Sequence, residues 1–296
     1  MAGSVSTTAG GQQAGGAGDT VKPPIIYSGA KATLGARIAA LFPPHGHYVE
    51  PFCGSLAVLL AKPVSPMETV NDLDEALQTF WRVLRDRPAE LERACVLTPH
   101  SLAEFRAAED VDAPVDDLER ARRVWVRFTQ GRAGRLRNTG WRHYVDPAGS
   151  THGMPDYLDG YVGRIAAAAS RLHHVSLECR PALEVIRWYG RSEDVLLYLD
   201  PPYLGSTRAS SAYRHEMPSD AEHTELAEAL HNVKASVVLS GYPSELYDQL
   251  YAGWNRAEFA SGTGQNAETW ANRTEVVWSN RPFPFSQPDL FEVTAS

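Results

Sequence analysis

Five consecutive apolar residues, Val195-Leu196-Leu197-Tyr198-Leu199, run without a break into Asp200-Pro201-Pro202-Tyr203. A run of that length with no polar alternation reads as a strand buried on both faces, as parallel sheets require. Proline has no N–H to give to a ladder, so the strand stops there and the tetrapeptide falls at its carboxyl end. In open α/β sheets that end is where ligands bind. The stiff turn then holds one carboxylate, one carbonyl free of any ladder role and one aromatic ring in fixed relation.

Those three groups suit an exocyclic amine on a planar base. Asp200 can accept one N–H and the Pro201 carbonyl the other, while the Tyr203 ring can stack on the base. The lone pair of such an amine is delocalised into the ring, which makes it a poor nucleophile. Two acceptors draw it toward tetrahedral geometry and stabilise the positive charge that develops during alkyl transfer.

The remaining pattern supports an α/β chain. Strand-like runs end at Glu50 and cover Thr69–Asn71, Val175–Leu177, Ser236–Leu239 and Val276–Trp278, with helical patterns between them. Ser219 and Glu222 have capping-box spacing ahead of Leu226, Leu230 and Val233. The alternation breaks over 86–174, which reads as an inserted, mainly helical subdomain. The expected organisation is a flexible tail at 1–20, a core formed by 21–85 and 175–284, that insert, and a C-terminal tail at 285–296. The tail at 1–20 is nearly all Ala, Gly, Ser, Thr and Gln, too poor in apolar residues to offset the entropy of ordering.

In order along the chain, several motifs resemble the Dam-like, S-adenosylmethionine-dependent DNA adenine-N6 methyltransferases. They are Tyr27-Ser28-Gly29-Ala30-Lys31, then Tyr48-Val49-Glu50-Pro51-Phe52-Cys53-Gly54-Ser55, then Val70-Asn71-Asp72-Leu73-Asp74, and finally Asp200-Pro201-Pro202-Tyr203. The resemblance covers about Ile25 to Arg281. It implies a seven-stranded, Rossmann-like methyltransferase core with an inserted target-recognition subdomain, and methyl transfer from S-adenosylmethionine to a flipped adenine amine. Tyr27, Lys31, Glu50, Pro51, Phe52, Gly54, Asp72 and Asp200 are then expected to hold the cofactor, Lys31 through its methionyl carboxylate and Asp72 through the ribose. Asp74 competes with Asp72 for that role but suits the N-cap of the helix carrying Leu77 and Phe80. The chain departs from the usual FxGxG pattern, because Leu56 stands at the second Gly position. Catalysis is expected of Asp200, Pro201, Pro202 and Tyr203.

The net charge of −8 argues against a polyanionic partner until it is divided. Leu118 to Tyr144 holds eight Arg and one acid, Glu119, a local charge of +7 that leaves −15 for the rest. The expected DNA contacts are Arg120, Arg123 and Arg127 on one stripe of a helix, opposite Leu118, Ala121, Trp125 and Phe128. Arg132, Arg135, Arg137, Asn138, Trp141 and Arg142 follow in a Gly-rich loop, and Arg208 lies in the loop after Tyr203. For any single Arg, solvent is the alternative. By resemblance, the Tyr203–His215 loop closes on double-stranded DNA, and Ser240-Gly241-Tyr242 and Arg273–Asn280 match later strand ends of the family.

Gln287-Pro288-Asp289-Leu290-Phe291 has the QxxLF form of peptides that dock on the bacterial sliding clamp; a plug over apolar surface is the alternative. No metal is expected, because His45/His47 and His173/His174 lack a completing ligand set. Three scattered cysteines form no CxxC pair, and there is no apolar run of membrane-spanning length, so a cytoplasmic, DNA-associated protein is expected. The competing functions are methylation of a cytosine N4 or RNA amine, and a DNA- or clamp-binding protein that has lost catalysis.

Overall fold

The computed structural model describes residues 20–27, 29, 31–132, 134–136, 139–143, 153–204, 214–263 and 271–284. In chain order the first elements are α1 (Gly35–Ala39), β1 (His47–Glu50), α2 (Ala57–Ala61), β2 (Met67–Asn71) and α3 (Glu75–Asp86). The helical stretch follows as α4 (Pro88–Val96), α5 (Leu102–Ala107), α6 (Asp117–Gln130), α7 (Met154–Val162) and α8 (Ile165–Leu172). The chain returns to the sheet with β3 (Val175–Glu178), α9 (Ala182–Tyr189), β4 (Val195–Leu199), α10 (Asp220–His231), β5 (Ser236–Gly241), α11 (Glu245–Leu250), β6 (Asn255–Thr263) and β7 (Ala271–Ser279).

One seven-stranded sheet runs β3-β2-β1-β4-β5-β7-β6. The first five strands in that order pair in parallel, whereas β7 runs antiparallel between β5 and β6. The chain moves outward from β1 through β2 to β3, then returns to the other side of β1 with β4. The crevice between β1 and β4 is therefore a topological switch point, the usual ligand position in such sheets.

Alternation along the strands divides the core. Tyr48, Leu196 and Tyr198 face a cluster shared with α3, α6 and α8, while Val49, Leu197 and Leu199 face one shared with α9, α10 and α11. Six strands coincide with the apolar runs in the sequence. The seventh, β6, is not among them: buried Ala257 and Phe259 alternate there with exposed Arg256, Glu258 and Ala260, the period of an edge strand with one wet face. Ser219 caps α10 in a full capping box with Glu222, and Asp74 caps α3 by accepting the N–H groups of Ala76 and Leu77.

The arginine stripe on α6 needs correction at Arg127. From Val124 to Gln130 every residue of α6 is buried, because the helix lies on α3 and is covered by α4 and α5 as well. Arg127 is 3% exposed. Its Nε donates to the Leu136 carbonyl at 3.0 Å, and its guanidinium stacks 4.1 Å from the Phe105 ring centre. It is a core residue, not part of a solvent-facing stripe.

Candidate active site

Because β1, β2 and β4 are parallel and in register, Glu50, Asn71 and Leu199 all end at one edge of the sheet. A cavity of about 320 Å³ opens there. Tyr27, Lys31, Glu50 and Pro51 line it together with Phe52, Gly54, Asp72 and Asp200, so residues from four separate motifs meet at one wall. Pro202 also lines it, whereas Pro201 is buried and does not.

The loop after β1 is pinned to β2. Cys53 N–H donates to the Asn71 carbonyl at 2.9 Å, and Asn71 Nδ2 donates to the Pro51 and Arg180 carbonyls at 2.9 and 3.0 Å. Asp72 is oriented in turn by two backbone donors, Gly54 N–H on Oδ2 and Asp74 N–H on Oδ1, each at 3.0 Å. Gly54 has φ +45, and Leu56 has φ 58. Leu56 is the one non-glycine residue with positive φ among the described residues. The loop thus keeps a left-handed residue at the position where the FxGxG pattern has its second glycine, and the Leu56 side chain is fully buried beneath it.

Lys31 does not point a free ammonium into the cavity. Its Nζ lies 2.8 Å from both carboxylate oxygens of Asp200, 3.2 Å from the Gly29 carbonyl and 3.3 Å from Glu275 Oε1, and it also bonds the Tyr203 hydroxyl. Ser240 Oγ donates to Asp200 Oδ1 at 3.1 Å and contacts the Tyr198 hydroxyl at 3.0 Å. The Tyr203 ring is 5% exposed and packs against Tyr242, with ring centres 4.3 Å apart. The aromatic ring expected to stack on a base is therefore folded against the ion pair.

Burial and charge compete throughout this cluster. Desolvation alone would discharge Lys31, but Asp200 and Glu275 outweigh it and hold the ammonium protonated well above the usual lysine value. Desolvation pushes the Glu50 carboxyl up to about 8, opposed by the hydrogen bond from Tyr48. Glu275 rises to about 7 by burial, with Lys31 pulling the other way. Asp72 keeps part of its surface on the cavity, yet lies deep enough that desolvation lifts it to about 6 against its two backbone donors.

Four contributors are not evident as site residues from the sequence. Asn71 staples two loops, and Ser240 and Glu275 reach the Asp200 cluster from β5 and β7. Arg214 lines the cavity and bridges Asp74 at 2.8 Å and Asp112 at 2.6 Å. All four stand within segments that the resemblance marks, but only the pairing of distant elements reveals what they touch.

The arginines of the helical region differ in availability. Arg123 is bonded to Glu119 and the Asp110 carbonyl, and Arg120 and Arg135 are half-buried. Arg132 is exposed, and Arg142 lies 5.0 Å from the Tyr157 ring centre. Trp141 is enclosed between His100 and His143, at 4.5 and 5.3 Å. Arg137, Asn138, Arg208 and Gln287–Phe291 lie outside the described residues. No group of three or more His, Cys, Asp or Glu suited to a metal ion occurs among the described residues. No described helix is long and apolar enough to cross a membrane.

A family model for D12 class N6 adenine-specific DNA methyltransferase matches residues 27–120 and 163–263, more than half of the chain. No curated protein matches the sequence. Among solved structures, the rRNA methyltransferase aviRa from Streptomyces viridochromogenes aligns at 14% identity and a TM-score of 0.34, covering 87% of this chain and 84% of that one.

Proposed function

Since the chain belongs to the D12 class N6 adenine-specific DNA methyltransferase family, we propose that the cavity between β1 and β4 holds the methyl donor and that Asp200 presents the adenine amine to it. Membership makes the chain an adenine-specific DNA methyltransferase and implies S-adenosylmethionine as donor. When bound, that cofactor supplies an electrophilic sulfonium methyl. The cavity fits such a molecule: its volume is in the range of small-molecule sites, and Gly54 leaves a cradle that a side chain would fill against Tyr27. Asp72 offers carboxylate oxygens for ribose hydroxyls at the end of β2.

The adenine amine is hidden in duplex DNA, so the base must be extruded, at a cost of about a few kcal/mol. Asp200 accepts one amine N–H and the Pro201 carbonyl the other, which localises the nitrogen lone pair. Tyr203, packed between Tyr242 and the Lys31 ammonium, must turn out of that packing before its ring can stack on the base. Pro202 stiffens the turn and bounds the cavity. The contribution of the protein is positioning and electrostatics.

Arg132, Arg135 and Arg142, with Arg137, Asn138 and Arg208, are assigned to the DNA, as are Arg120 and Arg123 at the flank of α6. The insert, 86–174, is read as the target-recognition region; the match to the family is interrupted inside it, between residues 120 and 163. Docking of Gln287–Phe291 on a sliding clamp is tested by pull-down with purified clamp: deletion of 287–291 abolishes capture if the reading holds.

The observation that carries the catalytic proposal is Asp200 at the end of β4, in one cavity with Tyr27, Gly54 and Asp72. The decisive experiment measures N6-methyladenine in DNA nucleosides after incubation with labelled cofactor. Asp200→Ala is expected to lose methyl transfer while keeping its fold, read by circular dichroism; retained transfer overturns the assignment.

A further inference from the structure

We propose that Glu275 is a positioning residue for methyl transfer, receiving the Lys31 ammonium when the adenine amine displaces that ammonium from Asp200. The proposal deepens the assignment of Asp200 above and rests on it.

The difficulty it resolves is that Asp200 is already occupied. Both of its carboxylate oxygens face Lys31 Nζ at 2.8 Å, and a carboxylate neutralised by an ammonium is a weaker acceptor for a neutral amine. For Asp200 to localise the amine lone pair, the ammonium must give up at least one of those bonds. Lys31 is 4% exposed, so water cannot take over the charge, and leaving it unpaired in the interior is costly.

Glu275 is the second carboxylate in reach among the described residues. Its Oε1 lies 3.3 Å from Lys31 Nζ, both side chains are 4% exposed, and that oxygen has no hydrogen-bond partner among the described residues. A shift of the ammonium by about 0.5 Å brings the pair into ordinary hydrogen-bond range. The ammonium then keeps a full counter-charge while Asp200 is freed. No covalent step is involved; the ammonium exchanges one acceptor for another.

The strand arrangement fixes this geometry. β7 pairs with β5 so that Val276 lies opposite Gly241 and Val277 opposite Ser240. Glu275 is thereby set next to the strand end that also carries Ser240, a direct hydrogen-bond donor to Asp200. The groups facing Glu275 are Lys31, Asp200 and Tyr203. With its carboxyl at about 7, Glu275 changes charge within the working range of an assay. Protonated, it has no charge to offer the ammonium, which then stays on Asp200.

The test compares the full-length protein with Glu275→Gln, Glu275→Asp and Asp200→Asn. It measures kcat and KM for duplex DNA from pH 5.5 to 9, together with the Kd for S-adenosylmethionine. Glu275→Gln is expected to bind cofactor within twofold of the parent, to lose tenfold or more in kcat at pH 8 with little change in KM, and to lack the rise in kcat through pH 7. Glu275→Asp is expected to recover part of kcat and keep an inflection. Parent-like kcat with an unchanged inflection in Glu275→Gln overturns the proposal. So does a joint loss of cofactor binding and thermal stability in both Glu275 variants, which would mark a purely structural residue. An active Asp200→Asn variant refutes the underlying assignment of Asp200 whatever Glu275 does.

Discussion

A Cβ placed on Gly54 would stand 3.0 Å from Cε1 of Tyr27, closer than real Cβ contacts normally come. The aromatic ring of the first motif therefore rests on the backbone of the second, and the absence of a side chain at 54 lets them meet. With φ +45, the position also disfavours any L side chain by about 1–2 kcal/mol. Gly54→Ala is expected to weaken S-adenosylmethionine binding about tenfold or more, read by calorimetry, with a smaller loss of thermal stability. Unchanged affinity would mean that Tyr27 does not shape the cofactor wall.

Leu56 tests the same loop from the other side. Leu56→Gly relieves the left-handed backbone but removes a fully buried side chain, and the packing loss of about 2–5 kcal/mol outweighs the relief. A net destabilisation of about 1–3 kcal/mol is expected in denaturant titrations. Cofactor affinity should stay within about threefold, because the loop shape is already that of a glycine.

Glu50 gives a pH dependence with a definite sign. Its carboxyl is neutral up to about pH 8 in the folded chain and has an ordinary value of 4.5. Between those limits the folded state holds a proton that the unfolded state has released, so stability falls as pH rises from about 4.5 to about 8. The loss from this group alone amounts to about several kcal/mol. Glu50→Gln is expected to flatten the pH dependence of unfolding and to be more stable than the parent at pH 8; a parent-like slope would show that Glu50 is not the source.

Two arginines of the basic segment should behave oppositely. Arg132→Glu is expected to weaken DNA binding and to reduce the slope of log K against log salt by about 1 or more, leaving the melting temperature within a degree or two. Arg127→Glu places an unpaired carboxylate in the core and should cost about 3–5 kcal/mol of stability. If Arg127→Glu leaves stability intact and changes only the salt slope, the buried position of its guanidinium is wrong.

What the sequence reveals and what it hides divide along physical lines. Val195–Leu199 is legible because five unbroken apolar residues before two prolines admit few other structures, and Ser219 with Glu222 because a capping box acts within one turn. The same locality leads to the stripe that includes Arg127. A helical wheel separates this residue from Trp125 and Phe128, but cannot know that α4 and α5 cover the far side. Strand β6 escapes because, among its residues of described burial, Ala257 and Phe259 alone turn inward, too thin a pattern against Arg256 and Glu258. Glu275 lies within the Arg273–Asn280 motif, and its meaning depends on β7 entering the sheet backwards beside β5, a pairing that no local pattern encodes.

The antiparallel entry of β7 also has a consequence for when the protein becomes competent during its synthesis. Lys31 leaves the ribosome long before Glu275 does. If Glu275 is the acceptor that relieves Asp200, the site draws on both the first and the last of its elements in chain order, so entry of β7 into the sheet and competence for methyl transfer coincide.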